Sequence, residues 1–135
     1  MSKVRELPMP NYVADLIKMP LGRMGLKQVM DGGDSLSYSL TYADGSELAV
    51  IFMCIAERRW FWERIVLLVS LIGMDPGTKV VTVYRRNTLQ PPQGASDIGF
   101  AIRVSKLVRV MAWIHAENGG MGDCVDLPRP KHPRS

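Results

Sequence analysis

The sequence predicts an α+β domain. Its expected form is a small mixed three-stranded sheet, a β-hairpin plus one strand after a crossover helix, packed with two longer helices and short N-terminal helices. Three observations predict it. Leu36, Tyr38, Leu40 and Tyr42 alternate with Ser35, Ser37, Ser39 and Thr41, the period of two of a strand with one buried face. Asp44-Gly45 follows, a pair favoured in tight turns that need positive φ, and then an apolar run from Leu48 to Ala56. Near the other end, Phe100, Val104, Leu107, Val108, Met111 and Ile114 recur at helical spacing.

Taken in order, residues 1–10 contain Pro8 and Pro10 and are expected to be extended. Asn11 can cap a short helix from Tyr12 to Lys18 that Pro20 stops. A second short helix is expected from Leu21 to Met30, weakened by Gly22 and Gly25 and ended by residues 31–34. In the hairpin, a two-residue turn sets Tyr42 against Glu47, Leu40 against Ala49, Tyr38 against Ile51 and Leu36 against Met53. A bulge that lengthens the turn would slip this register by one. The second strand is apolar on both faces, as central strands are. Helices on one face only would leave Val50 and Phe52 wet, so the short N-terminal helices or another subunit must cover that side.

Glu57 to Met74 reads as a helix from its length and from the stop at Gly73 with Asp75-Pro76-Gly77. A strand from Ile65 to Ile72 is the rival reading. Thr78 to Arg86 is rich in β-branched residues and reads as a third strand, parallel to the second after a right-handed crossover. Residues 87–95 read as a loop. Ser96 is the expected cap of the last helix, which ends at Gly119-Gly120, with Arg103, Lys106 and Arg109 opposite its apolar row.

At 135 residues the chain is expected to be one globular domain over residues 1–120. A Pro-rich basic tail fills 121–135. The formal charge of +4 suits an acidic partner or nucleic acid without demanding either. Cys54 and Cys124 lie far apart in unlike contexts, so no disulfide framework is expected, and Cys54 reads as a buried thiol. No signal peptide begins the chain and no apolar run reaches the roughly 20 residues of a membrane span. A cytoplasmic location without membrane contact is therefore expected.

Motifs that carry chemistry are missing. His115, Glu117, Asp123 and Cys124 fall close together, but lack the paired spacing of zinc ligands. A Cys54–His115 nucleophile pair is disfavoured because Cys54 falls mid-strand in an apolar run. The glycines form no phosphate loop, and the carboxylates are scattered. Neither a cofactor nor a metal is expected, and an enzyme is the least favoured class.

The informative residues are aromatic and basic. Arg58, Arg59 and Arg64 surround Trp60, Phe61 and Trp62, and Trp with Arg is a common interface anchor. Three successive aromatics on a helix cannot all face one core. Arg59, Trp60 and Trp62 are thus the candidate partner-binding residues. The expected function is that of a small non-enzymatic adaptor, inhibitor or regulator, in the general style of bacterial or phage-encoded ones. It would act through contact with another protein or with itself as a homodimer. The alternative is a nucleic-acid-binding regulator using Arg103, Lys106 and Arg109, although no nucleic-acid motif accompanies them.

Overall fold

The structure is a computed structural model that describes residues 2–31, 35–43, 45–74 and 77–119. Among these, eight elements follow in the order β1 (Ser2–Leu7), α1 (Asn11–Arg23), β2 (Lys27–Asp31), β3 (Ser35–Thr41), β4 (Glu47–Arg59), β5 (Trp62–Met74), β6 (Val81–Leu89) and α2 (Ile98–Gly119). The strands form one six-stranded sheet in the order β2-β3-β4-β5-β6, with β1 also paired to β4. Every pairing is antiparallel. Helix and strand are both present, but the small mixed three-stranded sheet is overturned.

The β3–β4 hairpin is where expected, one residue out of register. Tyr38 pairs with Val50 and Leu40 with Leu48, where a two-residue turn would have given Ile51 and Ala49. The Tyr42 N–H donates to the Ser46 carbonyl and the Gly45 N–H to the Tyr42 carbonyl, each at 2.9 Å. The chain therefore reverses between Tyr42 and Ser46, with Gly45 at φ 88°, where positive φ is cheapest for glycine. The slip puts Leu36, Tyr38 and Leu40 on the same face as Leu48, Val50 and Phe52. The hydroxyl row of Ser35, Ser37 and Ser39 shares its face with Met53, Ile51 and Ala49.

The two short N-terminal helices are one. Val13, Leu16, Ile17, Pro20 and Leu21 are buried along a single stripe of α1. Pro20 does not stop it: its ring is buried and its carbonyl accepts the Met24 N–H at 3.1 Å. Asn11 is the first helical residue rather than the cap, a position Pro10 holds without a side-chain hydrogen bond. The helix ends in a glycine motif. The Leu26 N–H donates to the Leu21 carbonyl and the Gly25 N–H to that of Gly22, with Gly25 at φ 84°. Leu26 and Leu21 are both buried, the apolar contact that accompanies this closure. The expected helix over Leu21–Met30 gives way at this glycine to β2. Replacing Gly25 by Ala forces a side chain into the left-handed region, so unfolding in urea should show about 1 kcal/mol less stability.

Glu57 to Met74 is not a helix. β4 runs on to Arg59, turns at Trp60-Phe61 and returns as β5, pairing without interruption from Arg59–Trp62 to Ala49–Ile72. Ile65, Val66, Val69 and Ile72 suit a strand, and the charges repeat as a mirror. Glu57 lies opposite Arg64 and Arg58 opposite Glu63. The Arg64 Nε donates to Glu57 Oε1 at 2.9 Å, and Arg5 reaches Glu63 at 3.6 Å from β1. Exposed pairs of this kind contribute about 0.2–1 kcal/mol each. With no crossover helix, β6 lies antiparallel to β5 instead of parallel to β4, and it runs to Leu89 inside the expected loop.

The last helix begins one residue later than Ser96 as its cap suggests. Asp97 caps it, its Oδ1 accepting the Phe100 N–H at 3.1 Å while Oδ2 takes that of Gln93 at 3.0 Å. These hydrogen bonds, that of Gln93 first, hold its carboxyl below the usual range. The apolar row of α2 is buried at Phe100, Val104, Val108 and Met111.

Both helices pack on one face of the sheet. The core joins Ile17 and Leu21 of α1, Phe100 and Val104 of α2, and the inward residues Leu40, Val50, Phe52, Leu67, Val69 and Leu71. Val50 and Phe52 are fully buried here, so the side expected to need extra cover already has it. The side that lacks a covering helix or strand among the described residues carries Ala49, Ile51 and Met53 instead. The tail over residues 121–135 and the domain boundary before it lie outside the described residues.

Candidate docking surface

The face that no described helix or strand covers can be built row by row from the register. Ile55 lies beside Val66, then Met53 beside Leu68, Ile51 beside Ser70, and Ala49 beside Ile72. On one flank lie Ser35, Ser37 and Ser39; on the other Thr88, Arg86 and Val83. Ile55, Val66, Ser37 and Ser70 are buried, while Ala49, Ile51, Met53, Leu68 and Ile72 are half-buried. The result is an apolar stripe two strands wide, edged on one side with serine hydroxyls and on the other with Thr88, Arg86 and Val83.

Beyond this stripe the sheet narrows to an arm. β3 pairs with β4 only as far as Met53, and β6 with β5 only from Leu67 onward. The arm holds β1, the end of β4 and the start of β5, and its tip is the turn Trp60-Phe61. Trp60 is 84% exposed, Phe61 90% and Trp62 46%. Unbroken alternation places Trp62 and Arg59 on the same face as Met53 and Leu68. The Glu57–Arg64 pair lies between them on that face, with Arg59 3.9 Å from Glu57. Trp60 has φ 57°, a conformation that costs a residue with a side chain about 1–2 kcal/mol. The tip is thus both wet and strained.

The predicted partner-binding residues Arg59, Trp60 and Trp62 are brought together at this tip, on a hairpin instead of a helix. Sequence reading left Ile51, Met53 and Leu68 out of the site. The signal that could have found them is the mirrored run Glu57-Arg58-Arg59 and Trp62-Glu63-Arg64 about Trp60-Phe61, which specifies a hairpin. Arg103, Lys106 and Arg109 are exposed on the outer side of α2. They do not share one groove: Arg103 borders the β6–α2 connection near Asp97, while Arg109 lies along α1.

The remaining candidates stay apart. Cys54 is buried and free, and burial pushes its thiol up. His115 lies against Tyr84, with ring centres 4.5 Å apart, and Tyr42 at 5.9 Å. Tyr84 in turn packs on Gly73 beside Leu48. That is the far end of β4 from Cys54, about 20 Å away by strand rise. Asp123 and Cys124 of the suggested metal set lie outside the described residues, among which no three ligating side chains cluster. No described helix is long and apolar enough to cross a membrane.

His115 does carry a pH dependence. Its Nε2 is buried without a hydrogen-bond partner among the described residues. Burial first, then the nearby Arg85 charge, lowers its pKa. The unfolded chain therefore takes up this proton more readily than the folded one. The stability that neutral His115 supports is complete above the ordinary value of about 6.5 and is lost as pH falls below it. Thermal melts from pH 7.5 to 5.5 should show a falling Tm that His115→Leu flattens.

Comparison with known proteins brings no match: no family model matches the sequence, nor does a curated protein or a solved structure.

Proposed function

We propose that this chain is a non-enzymatic docking module that holds a protein partner on the open face of its sheet and on the aromatic tip of the β4–β5 arm. The single observation that carries this reading is the exposure of Trp60, Phe61 and Trp62 at the tip of an arm, on whose Trp62 side the Glu57–Arg64 pair leads on to an apolar stripe that no described helix or strand covers. Three successive exposed aromatics are uncommon on a protein that works alone. Burying one such side chain yields roughly 1.5–3 kcal/mol, so the tip offers a partner a concentrated reward. Arg59 beside two tryptophans supplies the residue types that dominate interface energetics. Adaptor, inhibitor and regulator all use such a surface, and a second copy of the chain is one of the proteins that could occupy it.

The nucleic-acid alternative is weaker. Arg103, Lys106 and Arg109 are exposed cations, and the ring beside Arg103, that of Phe100 at 5.8 Å, is fully buried and offers a base no stacking surface, whereas single strands bind by stacking as well as charge.

The test is photo-crosslinking in cells from a benzophenone amino acid placed at Phe61, with Val29 on the distant edge strand β2 as control. A discrete protein adduct from position 61, lost when Trp60 and Trp62 become Ser, supports the reading. Adducts equal to those from position 29, or none, overturn it.

A further inference from the structure

A second surface lies on the opposite side of the molecule, in the groove between α1 and α2. Ile98, Ile102, Ser105 and Arg109 follow at i, i+4, i+7 and i+11 along one side of α2 and face Met19, Pro20 and Arg23 of α1 across an open groove. Ile98 is 63% exposed and Ile102 53%, although α2 already buries its core row elsewhere. Arg23 and Arg109 line the same groove, and neither has an ion-pair partner among the described residues. Arg103 and Lys106 add positive charge on the exposed side of the same helix.

We propose that this groove docks an acidic amphipathic helix of a partner protein. Apolar floor and paired arginines call for the two halves of such a helix. Its leucine-like side chains would cover Met19, Ile98 and Ile102, and its carboxylates would meet the forked donors of Arg23 and Arg109. From Ile98 to Arg109 the groove runs about 16 Å, or roughly three helical turns. Nucleic acid is the poorer match, because the space between the arginines is aliphatic and offers phosphates nothing. A free fatty acid is poorer too, because the groove is open along its length and would leave the tail wet. This surface is separate from the aromatic tip, and either could fail without the other.

The probe is a fluorescein-labelled helical peptide of about three turns, with Leu at i, i+4 and i+7 and Glu on both flanks. Binding to the full chain is followed by anisotropy, beside a Lys-for-Glu version of the peptide and a single-stranded oligonucleotide of equal negative charge. The acidic peptide should bind. Ile102→Glu, on an exposed position that keeps the circular dichroism unchanged, should weaken it at least tenfold. Arg23→Glu with Arg109→Glu should reverse the preference toward the Lys peptide. Failure of the acidic peptide to bind, or binding that survives Ile102→Glu, overturns the proposal. So does an oligonucleotide that binds as tightly and competes, or a dimer of the chain that Ile102→Glu dissolves.

Discussion

Val50→Asp is expected to unfold the chain, whereas Ile51→Asp, one residue along the same strand, is expected to leave it folded. Val50 is fully buried between the sheet and the helices, beside Tyr38 on β3 and Leu71 on β5. A carboxylate there has no partner, and the loss should reach about 4–5 kcal/mol or more. That rivals the whole stability of an ordinary domain, about 5–15 kcal/mol. Ile51 points the other way, half-buried between Ser37 and Ser70. There the carboxylate keeps contact with water, and the cost should stay near 1 kcal/mol. Circular dichroism with urea titration separates the outcomes. Equal damage from both would mean that both faces are core.

The second large effect concerns the tip. Trp60→Gly should raise stability slightly, by up to about 1 kcal/mol, because glycine relieves the positive φ at that position. The same change should weaken capture of the partner found by crosslinking by at least about 2 kcal/mol, roughly thirtyfold. Stability and binding moving in opposite directions would distinguish a docking residue from a structural one. A Trp60→Gly chain that melts several degrees lower would show that Trp60 packs against its own fold.

Where the sequence was legible, local patterns agreed with tertiary placement. Leu36, Tyr38 and Leu40 alternate with serines, and that strand is where the alternation puts it. Phe100, Val104, Val108 and Met111 keep helical spacing, and that helix is present. The failures have physical causes. Ile65 to Met74 is apolar at nearly every position, broken only by Ser70 and Gly73, so periodicity could not separate a buried helix from a strand with two apolar faces. The charge mirror about Trp60-Phe61 was the missing discriminator. Pro20 read as a stop because a proline costs a helix one hydrogen bond and a steric clash; burial of its ring outweighed that. The register slip at the hairpin came from one extra loop residue, which reversed the assignment of faces to β4. The aromatic-basic cluster was legible as a candidate site from composition alone. Its proposed extension toward Ile51, Met53 and Leu68 was not, because these residues share a face with Arg59 and Trp62 only once β5 is a strand.

Docking on the sheet requires that its face bearing Ile51, Met53 and Leu68 stand free of covering structure. Relaxation by a soluble nitroxide, read on methyl signals of the isolated full chain, tests this directly. Ile51, Met53 and Leu68 should be attenuated well beyond Val50, Val69 and Leu71. Protection of Ile51 and Met53 equal to that of Val50 would mean that the face is already covered in the free protein, and the docking surface proposed for it would be withdrawn.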